Sequence, residues 1–83
     1  IAAGDNMQKW KYLRVWVAKE IVMQINGKEV GKVAGLLASP KGEHVVDFLD
    51  RVGQEGWELV SDAPVAGSAS AVGHYMTFKK PIS

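Results

Sequence analysis

The chain has no cysteine. That excludes a disulfide scaffold and any thiolate metal site. No apolar run approaches the ~20 residues of a membrane-spanning helix. No basic-then-apolar leader opens the chain, which argues against a signal peptide, and a cytoplasmic location is expected. Prolines number three and aromatic residues make up 8% of the 83 residues. Neither low-complexity tracts nor internal repeats occur. What is present is ordinary for a folded domain: 47% hydrophobic and 23% charged residues, enough apolar surface to avoid disorder. A chain this short forms one domain with a small core. Residues 1–6 precede Met7 without pattern and read as a disordered arm or vector-derived residues, leaving 7–83 as the domain.

The net charge of +1 hides a split. Residues 1–41 carry Lys9, Lys11, Arg14, Lys19, Lys28, Lys32 and Lys41 against Asp5, Glu20 and Glu29. Residues 42–83 carry Arg51, Lys79 and Lys80 against Glu43, Asp47, Asp50, Glu55, Glu58 and Asp62. The basic first half and acidic second half can pair within one fold or between copies, although solvated faces account for most such patterns.

Trp10 to Val17 is β-branched and aromatic with period-two alternation, so it predicts a strand beginning near Lys9. Leu13, Val15 and Val17 share one face; Trp10, Tyr12, Arg14 and Trp16 share the other. Glu20–Ile25 is a second strand. It ends in Asn26-Gly27, a type I′ hairpin signal, which sets Ile25 opposite Lys28 and Met23 opposite Val30. Gly31 and Gly35 keep the return strand, Lys28 to about Val33, short and twisted. Ser39-Pro40 reads as a helix cap, with regular helix from about Glu43. Val45, Phe48, Leu49 and Val52 form its buried stripe, and Asp47, Asp50, Arg51 and Gln54 the opposite face. Gly56 is expected in the left-handed conformation that ends the helix. Gly53 in the last turn suggests close packing of helix on sheet. Trp57–Ser61 is a strand stopped by Pro64, Ala63–Gly73 a loop, and His74–Lys79 a final strand closed by Pro81. Together these predict an α+β fold: a small antiparallel sheet of three to five strands with one helix on one face, in the order strand, hairpin insertion, helix, strand, strand.

Three blocks resemble a bacterial family catalogued as domain of unknown function 4177. They are Trp10-Lys11-Tyr12-Leu13-Arg14-Val15, Leu49 to Val60 containing Gly53, Gly56, Trp57 and Glu58, and Tyr75-Met76-Thr77-Phe78-Lys79-Lys80-Pro81. The middle block is the specific one. The chain departs from the family's short form by the Asn26-Gly27 hairpin and by Lys80 where arginine is usual. The resemblance implies a strand, helix, strand, strand core and no reaction, so no catalytic residue carries over. Independently, Gly56 followed by Trp57 places the indole over the helix end as a core anchor.

Catalytic chemistry finds little support. His44 and His74 lack convergent ligand spacing for a metal. They read as a solvated first-turn residue and a strand-end residue. Ser39, Ser61, Ser68 and Ser70 stand in no nucleophile frame. The glycines at 27, 31 and 35 are followed by no phosphate-loop lysine. No enzyme activity, metal or cofactor is expected.

The Trp10, Tyr12, Arg14 and Trp16 face is the sharpest feature, because aromatics and arginine concentrate at interface centres. Either the hairpin folds over it as a second core, or a partner covers it; the hairpin pattern argues for the former. The expected function is a non-catalytic protein-interaction module that self-associates as a homo-oligomer. One alternative is a small-molecule pocket between helix and sheet, floored by Met23, Met76 and Phe78 and gated by the Ala63–Gly73 loop. Another is single-stranded nucleic-acid binding along the Trp/Tyr/Arg/Lys face, helped by Lys79 and Lys80 if the last strand pairs with the first. Against it stand the modest pI of about 8.2 and the acidic second half.

Overall fold

A computed structural model describes residues 7–32, 41–65 and 73–82. The elements are β1 (Lys9–Ala18), β2 (Ile21–Ile25), β3 (Lys28–Glu29), α1 (Val45–Gln54), β4 (Glu58–Pro64) and β5 (His74–Ile82). The strands form one antiparallel sheet in the order β3-β2-β1-β5-β4. The expected α+β architecture is present at five strands, with α1 on one face. Residues 1–6 and Ser39-Pro40 lie outside the described residues.

Strand alternation decides which side chains meet the helix. Val15 and Val17 of β1, Val22 of β2, and Met76 and Phe78 of β5 are buried with Phe48 and Val52 of α1. Leu13, Ile25, Val45, Leu49 and Trp57 pack around them. The Phe48 and Phe78 rings meet edge-to-face, 5.9 Å between centroids, a favoured aromatic geometry. These side chains fill the space between helix and sheet. Met76 and Phe78 are therefore core residues, and two recesses formed by described residues open at the surface, one beside Arg14 and Tyr75 and one beside His74 and Asp62.

The helix starts later than its serine signal suggests. His44 is the N-cap, its Nδ1 accepting from the Val46 N–H at 3.2 Å, which satisfies one of the open amides of the first turn. The chain ahead of it is stitched to β2: Val22 N–H donates to the Glu43 carbonyl and Val45 N–H to the Glu20 carbonyl. That pairing hangs α1 beside the start of β2. At the other end Trp57 N–H donates to the Val52 carbonyl and Gly56 N–H to the Gly53 carbonyl. With Gly56 at φ +95°, this is a Schellman motif, and Trp57 meets the core as its apolar partner. The Gly56-Trp57 reading holds, except that β4 begins one residue later, at Glu58.

Four further expectations are corrected. Gly53 is not a close-packing site: a methyl group there would meet nothing within 4 Å, because the residue faces solvent. The return strand is only Lys28–Glu29: beyond it the Val30 and Gly31 N–H groups both donate to the Met23 carbonyl, which breaks the ladder, and the chain crosses so close to β2 that a Cβ at Gly31 would lie 2.7 Å from the Val22 carbonyl oxygen. Pro81 does not close the last strand, which continues to Ile82 with Pro81 opposite Trp10. The β2–β3 hairpin does not fold over the aromatic face. It extends the sheet sideways, because β2 spends its backbone bonds on β1 and its Val22 and Ile25 side chains on the helix-side core.

Both two-residue connections at this end are tight turns. Asn26 and Gly27 have φ of 50° and 85°, the type I′ geometry their sequence favours. Lys19 and Glu20 between β1 and β2 also have positive φ, 51° and 66°, without glycine or asparagine to ease it.

Candidate interaction face

Residues 10, 12, 14 and 16 of β1 project from the sheet opposite α1. The β1–β5 register sets Trp10 opposite Pro81, Tyr12 opposite Lys79, Arg14 opposite Thr77 and Trp16 opposite Tyr75. Tyr75, Thr77 and Lys79 therefore join the same face, and Gln24 of β2 lies beside Trp16. The side chains interlock diagonally. The Lys79 ammonium sits 4.1 Å from the Trp10 ring centre, and the Arg14 guanidinium 4.2 Å from the Tyr75 ring centre. Trp16 and Tyr75 are tilted 46° with centroids 4.9 Å apart. Each cation is drawn to the negative face of a ring, worth roughly 0.5–1 kcal/mol where solvent reaches. The result is a continuous stripe of alternating rings and cations.

No described element packs across this stripe. Tyr12 keeps 61% of its surface exposed and Trp10 keeps 37%, while Trp16 is half-buried. Gly73 lies against the Trp16 ring, where a Cβ would come within 2.6 Å of the indole. The edges carry the opposite charge: Glu29 of β3 is opposite Gln24, and Glu58 of β4 is opposite Lys79. Two carboxylates thus flank two central cations on one face.

The four β1 residues singled out from the sequence are brought together here. Tyr75 and Thr77 were missed, although their alternation with Met76 and Phe78 marks them as the face opposite the core. Gly56 and Trp57 belong to the helix end, away from this face, where the Lys80 ammonium lies 5.5 Å from the Trp57 ring centre.

The histidines form local pairs. His44 Nε2 lies 3.5 Å from Glu20 Oε2, so His44 is a capping residue with a carboxylate neighbour. His74 Nδ1 lies 2.5 Å from Asp62 Oδ1 at the rim of an open 450 Å³ recess that Lys19, Glu20, Pro64 and Gly73 also line. Among the described residues no three metal-ligating side chains converge, and no helix is long and apolar enough to cross a membrane. On the helix flank Arg51 makes two hydrogen bonds to Glu43, at 2.8 and 3.1 Å. That pairing holds the Glu43 carboxyl below its ordinary range and raises the Arg51 guanidinium.

Compared with family models, curated proteins and solved structures, the chain matches none.

Proposed function

We propose that the protein is a non-catalytic interaction module that self-associates through the Trp10, Tyr12, Arg14, Trp16, Tyr75 and Lys79 face. One observation carries this reading: a strip of rings and cations lies on a sheet face opposite the helix, with no described element across it. Exposed patches of this composition mark interaction sites. The flanking Glu29 and Glu58 support a protein partner over a polyanion, because carboxylates on the same face would repel phosphate. They also make the face self-complementary in charge, as an isologous two-fold contact requires. The same reading takes the chain as a bacterial, cytoplasmic relative of the domain of unknown function 4177 family. The Leu49–Val60 block supports this, being the sequence of the Schellman helix end.

The test is the mass of the native particle by light scattering at micromolar concentration. Wild type is expected at two or more copies of the 9.0 kDa chain. Tyr12→Ala is expected to be a folded monomer, because Tyr12 is already exposed within one chain and its ring adds contact area only in the assembly. Trp16→Glu should also dissociate it, with some loss of stability because Gly73 packs on that ring. A wild type that runs as a single 9.0 kDa chain overturns the reading. Salt-sensitive capture of single-stranded oligonucleotide by such a monomer favours the nucleic-acid alternative.

A further inference from the structure

Within the face, Arg14, Trp16, Gln24, Asn26, Gly27 and Tyr75 line a recess of about 270 Å³. Its chemistry is one-sided. No acidic side chain is among these six. Among the described residues, no carboxylate pairs with Arg14. Glu29, which shares the face from β3, makes no ion pair with it.

The donors are held in place. The Arg14 backbone is fixed twice by the hairpin turn: its N–H donates to Asn26 Oδ1 at 2.9 Å, and its carbonyl accepts from the Asn26 N–H at 2.7 Å. Its guanidinium rests on the Tyr75 ring, which restrains the long side chain. Because Asn26 Oδ1 is the accepting end of that amide, its Nδ2 donors remain over, and the Gln24 amide has no partner among the described residues. Trp16 and Tyr75, themselves in ring contact, supply an apolar aromatic wall.

We propose that this recess is a carboxylate-binding site. The arginine fork takes the two carboxylate oxygens side by side, the Asn26 and Gln24 amides donate at the rim, and the rings receive a planar or apolar group attached to the acid. Two sources offer this chemistry: a free aromatic carboxylic acid, or an acidic side chain of another copy of the chain. The site does not depend on self-association, since every lining residue belongs to one chain.

The experiment titrates phenylacetate into the protein, read by amide and indole NMR shifts and by tryptophan fluorescence, with uncharged phenylacetamide as control. Saturable shifts confined to Arg14, Trp16, Gln24, Asn26 and Tyr75 are expected, with phenylacetamide much weaker. Arg14→Lys keeps the charge but loses the fork, and is expected to weaken phenylacetate about tenfold or more. Arg14→Gln should abolish saturation while the remaining amide spectrum stays native. Where the acid comes from a second copy, phenylacetate also lowers the particle mass and Arg14→Gln is monomeric. Where it is free, the recess stays open to solvent in the native particle and the mass is unchanged. Absence of saturation, equal binding of phenylacetamide, or wild-type binding by Arg14→Gln overturns the proposal.

Discussion

Individual residues show where the chain holds strain and where it holds slack. Lys19 and Glu20 occupy the left-handed region, which costs an ordinary residue roughly 1–2 kcal/mol. The double change Lys19→Asn, Glu20→Gly supplies residues suited to a type I′ turn. It should raise stability by about 1–2 kcal/mol, read from the denaturation midpoint; no rise would mean that the turn is held by the neighbouring β2 contacts rather than strained. Gly53 is the converse case. Its Cβ position is open and its place is helical, so Gly53→Ala should stabilise by about 0.5–1 kcal/mol. Gly56 cannot be treated the same way, because its φ is +95°; Gly56→Val should cost about 1–2 kcal/mol or more. Opposite signs for two glycines three residues apart form a direct check on the helix end.

Among the elements, α1 matters most because it supplies the apolar cover for the sheet. Phe48 is 1% exposed and Phe78 2%, so Phe48→Ala should cost about 3–5 kcal/mol, enough to unfold a domain of this size. Trp57→Ala should act in the same direction, since Trp57 joins the core cluster from the Schellman turn. The helix flank has a pH response of known sign. Glu43 titrates lower in the folded chain than its reference value of 4.5 because Arg51 hydrogen-bonds to it. Its contribution is therefore present above that value and lost as pH falls through the folded-state value. Both partners are partly exposed, so water screens the pair and the contribution is small. Thermal melts between about pH 5 and pH 3 should show a slope that Glu43→Gln reduces. An unchanged slope would place the acid sensitivity on other carboxylates.

Across the whole molecule the two sheet faces differ in kind. One face buries valines, methionine and phenylalanine under α1; the other carries the ring and cation stripe. The two-sided apolar character of β1 reflects this division, since one face of the strand packs under α1 and the other pairs its rings with those and the cations of β5. The charge split along the chain has a spatial counterpart only in part: Lys28 and Glu29 stand together on one edge strand, and Glu58 and Asp62 on the other.

The elements themselves were legible from local chemistry. Alternation placed β1 and β5, Asn26-Gly27 placed the hairpin, and the spacing of Val45, Phe48, Leu49 and Val52 placed the helix, because each signal acts over a few neighbouring residues. The composition of the β1 half of the aromatic face was readable for the same reason. Tertiary structure alone decided the rest. Strand order put β5 beside β1 and brought Tyr75 and Lys79 onto the stripe, a long-range pairing that no local pattern specifies. Bulges reset parity: β4 shifts register between Leu59 and Ser61. Without that extra residue Asp62 would stand opposite Tyr75 on the aromatic face; with it, Asp62 stands opposite Met76 and reaches His74. The Lys19-Glu20 turn carries no turn signal, because it forms under the pairing of β1 with β2 rather than from its own preference. The hairpin lies in the sheet plane because Val22 and Ile25 of β2 are claimed by the helix-side core, a competition for burial that is settled only when all the elements have met.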